Sequence, residues 1–95
     1  MFVGVMELHL VLYDNESLKA KRSVVKRISH RCRNTFNVSV AEVYDHDLTD
    51  RAVLAVVSVN SNRPYLEGLL SKIENFVERL ALADLVEASK IIENY

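Results

Sequence analysis

The densest set of chemically active side chains in the sequence is a run of positive charge at residues 17–33, SLKAKRSVVKRISHRCR. The run holds seven of the chain's twelve Lys and Arg residues and no Asp or Glu. Since the whole chain has a net charge of −1, the other residues together carry −8. This separation of charge predicts an anionic partner or an assembly contact for the basic segment.

The same segment has the pattern of an amphipathic helix. Leu18, Val25 and Cys32 recur every seven residues, and Ser17 precedes them as an N-cap, which predicts a helix over 17–35. Most of its cations fall on the side away from that apolar stripe. We expect the residues that contact an anion to be Ser17, Lys19, Lys21, Arg22, Lys26, Arg27, His30 and Arg33.

This arrangement of charge is unfavourable for an isolated helix. Arg22 and Lys26, four residues apart, repel each other by roughly 0.2–0.5 kcal/mol, and cations in the first turn oppose the helix dipole. We therefore predict that the helix binds an anion, with the phosphates of RNA or of a ribosomal particle as the leading partner. The alternative is a solvated surface, or one that Glu67, Glu74, Glu78 or a second subunit neutralises.

The remaining elements follow from hydrophobic periodicity. Residues 2–12 and 51–59 are apolar and rich in β-branched side chains, and residues 38–43 alternate, which predicts three strands. A second helix follows Pro64, with Leu66, Leu70, Ile73, Val77 and Leu80 at helical spacing. Residues 84–95 fit either a strand or a helix. A strand would complete a βαββαβ ferredoxin-like sandwich, an α+β fold with a four-stranded antiparallel sheet and two helices on one face.

The face of the sheet away from the helices bears on assembly. Val3, Val5 and Val11 share one side of the first strand with Glu7 and His9. An exposed face of this kind favours a homodimer. The third strand has no aromatic residue, so stacking of RNA bases on the sheet is not expected.

Other polar groups carry weaker signals. Residues 45–47, Asp-His-Asp, suit a polar hairpin better than a metal site, because three consecutive residues rarely point at one ion. Glu7 and His9 suit a hydrogen bond better than an acid–base pair. Cys32 lies on the apolar stripe, which indicates a core residue rather than a reactive thiol.

Composition limits the class of protein. Ninety-five residues suit one domain, 1–95, and the single cysteine permits no internal disulfide, which favours the cytoplasm. The apolar start lacks a basic leader, and no run is long enough to span a membrane. No phosphate-binding loop, nucleophile elbow or zinc spacing occurs, so we expect no enzyme and no cofactor. Acylphosphatases share the predicted fold, but residues 13–16, YDNE, replace their glycine-rich loop with an acidic one.

Several stretches resemble the YlxP-like family of bacterial proteins of unknown function. They are SLKAKRSVVK (17–26), RNTFNVSVAEV (33–43), DHDL (45–48) and RAVLAVVSV (51–59). The resemblance runs from Phe2 to about Arg79. It implies a ferredoxin-like fold, a bacterial cytoplasm and genes close to those for translation initiation and ribosome-binding factor A, and it supplies no catalytic residues.

The sequence thus predicts a non-enzymatic cytoplasmic protein that binds RNA or a ribonucleoprotein through its first helix. Two alternatives stay open: a homodimeric protein-interaction module, and a regulatory domain that binds a small anion at the start of that helix.

Overall fold

The computed structural model describes residues 1–13 and 17–95 and arranges them as one sheet with two helices. In chain order the elements are β1 (Phe2–Val11), α1 (Leu18–Thr35), β2 (Ser39–Tyr44), β3 (Arg51–Asn60), α2 (Arg63–Leu80) and β4 (Asp84–Asn94). The sheet is antiparallel with the strand order β2-β3-β1-β4. This architecture confirms the ferredoxin-like prediction. Of the acidic loop predicted at 13–16, residues 14–16 lie outside the described residues.

The C-terminal segment forms the fourth strand. β4 pairs antiparallel with β1 along its length, with Ile91 opposite Val5 and Glu87 opposite His9. Of the two structures that residues 84–95 could adopt, the strand that completes the sandwich is therefore confirmed. β1 and β3 occupy the centre of the sheet, and β2 and β4 are its edges.

Alternation along β1 separates the two faces of the sheet. Met6, Leu8 and Leu10 are buried under the helices, whereas the residues between them are half-buried. Gly4 continues the buried face where α2 crosses the strand. A Cβ at this position would lie 3.3 Å from Leu70 Cδ1, so the glycine permits close packing of the helix.

Side-chain caps and packing fix the two helices. Ser17 Oγ accepts a hydrogen bond from the Ala20 N–H at 3.0 Å, and Asn62 Oδ1 accepts one from the Tyr65 N–H at 3.0 Å. Both helices pack on the same face of the sheet. Their C-terminal regions meet through the rings of Phe36 and Phe76, edge to face with centroids 5.3 Å apart.

Candidate nucleic-acid interface

Helix α1 turns its basic residues outward because its apolar side is held against the sheet. Val25, Ile28 and Cys32 on that side are buried. The residues we call the cationic surface are the exposed Lys19, Arg22, Lys26, Arg27, Arg31 and Arg33. At a rise of 1.5 Å per residue, the surface extends about 21 Å along the helix.

The C-terminal end of the cationic surface lies beside an edge of the sheet. Arg33 Nη1 donates to the carbonyl oxygen of Val40 in β2 over 3.4 Å. One turn earlier, His30 is exposed, and its Nε2 lies 3.1 Å from Asn34 Nδ2. An extended polyanion along α1 would therefore run next to the unpaired edge of β2.

The acidic residues of α2 do not neutralise this surface. Glu67 forms an ion pair with Arg63, at 3.1 Å, and Glu74 forms one with Lys90 of β4, at 2.6 Å. Among residues 1–13 and 17–95, no carboxylate forms an ion pair with any member of the cationic surface. The surface thus keeps its charge within the described part of the molecule.

The structure corrects the prediction for Lys21. Its side chain is fully buried, so it is not available to an external phosphate. The ammonium group donates to the carbonyl oxygens of Asp45, His46 and Arg51 at 2.7, 3.2 and 3.1 Å. Lys21 therefore fastens α1 to the connection between β2 and β3 and is removed from the set of binding residues.

A carboxylate balances the buried charge of Lys21. Glu42 Oε2 lies 3.1 Å from Lys21 Nζ and makes no hydrogen bond, whereas three carbonyl oxygens match the three ammonium protons in number. The contact is thus an ion pair without hydrogen-bond alignment. Sequence reasoning missed this role, although Lys21 precedes Val25 by four residues and Ile28 by seven, a spacing that indicates the buried side.

The start of α1 is less open to an anion than predicted. The side chain of Ser17 caps the Ala20 N–H, and the Ser17 carbonyl accepts the Lys21 N–H at 3.1 Å. Two of the groups expected to hold a small anion are thus engaged within the helix, and the Lys21 ammonium is engaged outside it, by the carbonyls of Asp45, His46 and Arg51. The exposed stretch of α1 is the better candidate surface.

Cys32 is a core residue, as predicted. Its side chain is fully buried. Burial raises the pKa of the Cys32 thiol to about 11, and the nearby positive charge of Arg33 opposes only part of this effect. The thiol is therefore protonated and unreactive at neutral pH.

The face of the sheet opposite the helices has two different ends. One end carries exposed aliphatic side chains: Val57, Val59 and Ile91 are 36%, 57% and 60% exposed. At the other end, a cavity of about 160 Å³ is bordered by both charged and apolar side chains, among them His9, Arg51, Glu87 and Val86. Between them, His9 Nε2 lies 3.3 Å from Glu7 Oε1, a partly buried hydrogen bond.

The described residues contain neither a group of metal-ligating side chains nor a helix that could span a membrane. Within residues 1–13 and 17–95, no three His, Cys, Asp or Glu side chains come close enough together to hold a metal ion. In the same residues, neither helix has the length and apolar character needed to cross a bilayer. His46, in the predicted polar hairpin, instead places its Nε2 3.1 Å from the Glu42 carbonyl.

Fold and surface together define a ferredoxin-like α+β protein with a cationic helix on one side and an open, partly aliphatic sheet on the other. The chain belongs to DUF503, a family described as a protein of unknown function, whose model matches residues 3–90. It is 37% identical over 76 residues to the uncharacterized protein YlxP of Bacillus subtilis (strain 168), covering 80% of this chain and 83% of that protein. The predicted resemblance is confirmed.

Solved structures with low sequence identity share the fold. The de novo designed protein Foldit4 matches with a TM-score of 0.56 at 16% identity, over 100% of this chain and 99% of that one. A point mutant of SnoaB, a cofactor-independent oxygenase from Streptomyces nogalater, has a TM-score of 0.53 at 13% identity, with 99% and 92% covered. The designed protein LFR1 1, with ferredoxin fold, has a TM-score of 0.51 at 10% identity, with 100% and 87% covered. At these identities the likeness concerns the fold alone.

Proposed function

We propose that this protein is a non-enzymatic RNA-binding protein of the bacterial cytoplasm that contacts RNA, free or in a ribosomal particle, through the cationic surface of α1. The single observation that carries the proposal is the set of six exposed cations on one helix that no carboxylate of the described residues pairs. Phosphates are the natural partner, since backbone contacts of Lys and Arg supply most non-specific affinity for nucleic acids.

The energetics of α1 support a role outside folding. Arg22 and Lys26, and likewise Arg27 and Arg31, are like-charge pairs at i and i+4, each of which costs an isolated helix roughly 0.2–0.5 kcal/mol. The first turn of α1 holds no acidic residue that would favour the helix dipole. A surface that lowers helix stability fits a binding function better than a structural one.

The proposed contact differs from that of an RNA-recognition motif. Such a motif stacks bases on aromatic residues of its central strands. Here the open side of β1 and β3 carries valines, Ala55, Glu7 and His9, without an aromatic ring. The interaction proposed for α1 therefore runs through the RNA backbone and has little sequence preference.

Removal of three exposed cations tests the proposal. We expect the triple variant Lys19→Ala, Arg22→Ala, Lys26→Ala to bind a single-stranded RNA more weakly while it keeps its thermal stability, because none of the three side chains is in the core. Each lost phosphate contact should reduce the slope of log affinity against log salt by about 0.7. Fluorescence anisotropy at several salt concentrations measures both quantities.

A matched control uses two exposed cations of α2. Lys72→Ala with Arg79→Ala also removes positive charge but leaves α1 intact, so its salt slope should equal that of the wild type. Equal losses in the two variants would mean that charge anywhere on the surface suffices, and the assignment to α1 would be wrong. Capture from lysate with and without ribonuclease separates RNA from an acidic protein surface, since only an RNA partner is lost on digestion.

A further inference from the structure

The open face of the sheet carries an aliphatic patch at one end, which consists of Val3, Val5, Val57, Val59 and Ile91. These residues lie on adjacent strands, since Val59 pairs with Val3, Val57 pairs with Val5, and Ile91 pairs with Val5 on the other side. Three of them are more than a third exposed. The helices cover only the opposite face, so nothing within the described chain shields the patch.

The other end of the same face carries charged groups together with the exposed side chain of Val86. His9, Arg51 and Glu87 border the cavity there, and Val11 lies opposite Arg51 and Asp84. The aliphatic patch and this charged end thus follow one another along the strand direction. This order restricts how a second surface can be laid on the face.

We propose that the open face binds a second copy of this chain, and that the two copies are related by a two-fold axis running parallel to the strands between β1 and β3. A two-fold contact requires only one self-complementary surface, which this face provides. A nucleic acid is a poorer occupant, because the carboxylates of Glu7, Glu87 and Glu93 lie on the face.

The size of the face is sufficient for a dimer. Strand geometry, with about 3.3 Å per residue and 4.8 Å between strands, gives roughly 1,100 Å² buried over both copies. This value exceeds the roughly 1,000 Å² expected of a specific interface, although it is at the small end. Dissociation at low concentration is therefore expected.

The register of the sheet selects the axis. Because Val3 pairs with Val59 within one sheet, rotation about an axis between β1 and β3 lays Val3 of one copy over Val59 of its partner, and likewise Val5 over Val57. The valines of the two patches then cover each other, while Ile91 of each copy lies over Ser39 of the other, since Ser39 pairs with Val57. An axis perpendicular to the strands and through the middle of the face would instead press the patch on the charged end, which leaves charged groups against valines.

The polar residues at the centre of the face tolerate this arrangement. Glu7 and His9 already bond to each other at 3.3 Å, so neither side chain enters the interface without a hydrogen-bond partner. The axis lays Glu7 over Ala55 of the other copy, because the two residues pair within one sheet. The small side chain of Ala55 leaves room for the carboxylate.

Sedimentation velocity on RNA-free protein tests the interface. The wild type should sediment with twice the chain mass at high micromolar concentration, and Val57→Lys should sediment as a monomer. Val59→Lys, at a more exposed position, provides the same test if the first variant fails to fold. Leu48→Lys replaces an exposed aliphatic side chain outside the face and should leave the dimer intact.

A mixture of variants tests the axis. When Val57→Lys is combined with Val5→Glu, the new charges should meet between copies and restore a mixed dimer. The control mixture combines Val57→Lys with Val86→Glu, whose charge lies at the far end of the face. In this mixture Val57→Lys should stay monomeric. A monomeric wild type, or a dimer that Val57→Lys leaves unchanged, overturns the interface. If the wild type dimerises and only the mixed dimer fails to form, the axis is wrong.

Discussion

Lys19 and Lys21 lie two residues apart on the same helix, yet their ammonium groups have opposite environments. Lys19 is exposed, whereas Lys21 is fully buried and donates to three carbonyls of the β2–β3 connection. The stem of Lys21 is buried, and the three donors of its ammonium group match three acceptors in number. Lysine is therefore available for binding at position 19, whereas at position 21 it stabilises the contact between α1 and the segment that joins β2 to β3.

Removal of the buried ammonium should be strongly destabilising. Lys21→Met keeps the stem but leaves three carbonyls and the Glu42 carboxylate unpaired, which should lower the free energy of unfolding by about 3–5 kcal/mol. Urea denaturation measures this value. Lys19→Met should change it by less than about 0.5 kcal/mol, as expected for an exposed position. A small loss for Lys21→Met would show that water replaces the ammonium without cost.

The Cys32 thiol should make stability depend on alkaline pH. Its pKa is raised to about 11 in the folded state, whereas the unfolded thiol titrates near its ordinary value of about 8.5. The unfolded chain therefore loses its proton first, so the contribution is complete below pH 8.5 and declines as the pH rises towards 11. Unfolding free energies of wild type and Cys32→Ala, measured from pH 8 to 11, should converge. Parallel curves would contradict the shift.

At the scale of the elements, the sequence predicts the order and type of all six helices and strands. Only the last strand, β4, is ambiguous by its pattern, and its register explains why. In β4, Leu85 pairs with Leu10 and Ala88 with Leu8, both on the helix side, because the register shifts between them. Two core-facing residues three apart imitate helical spacing. The periodicity of residues 84–95 therefore fits a helix as well as a strand. The strand is favoured because the sandwich needs a fourth strand.

The candidate site was less accessible from the sequence. The amphipathic stripe correctly places Lys19, Arg22 and Lys26 outside. It also places Lys21 with Val25 and Ile28, although the charge of a lysine favours an exposed position. The partners of Lys21 lie 24, 25 and 30 residues away, on a connection where Asp45 has a left-handed φ of 62°. Local pattern carries no information on how that backbone returns to α1.

At the scale of the whole molecule, the two proposed surfaces lie on opposite sides of the sheet. α1 covers one face, and the aliphatic patch lies on the other. A dimer through the patch would thus leave both cationic surfaces on its outside, with α1 axes roughly 30 Å apart for layers spaced about 10 Å. A long RNA could reach both helices, whereas a short one could occupy only one.

Dimerisation should therefore increase affinity only for long RNA. Linked binding sites commonly gain a factor of about 10²–10⁴, and the wild type should exceed Val57→Lys by at least about tenfold on a strand of some 40 nucleotides. On an oligonucleotide of about 8 nucleotides, near the size of a single site, the two proteins should bind equally, because each α1 acts alone. Anisotropy titrations above the dimer dissociation constant measure both affinities, with Leu48→Lys as the dimeric control. Equal affinities of wild type and Val57→Lys for the long strand would show that the two helices of a dimer do not bind one RNA together. If Val57→Lys instead bound both the long and the short RNA more weakly than the wild type, Val57 would belong to the RNA contact itself.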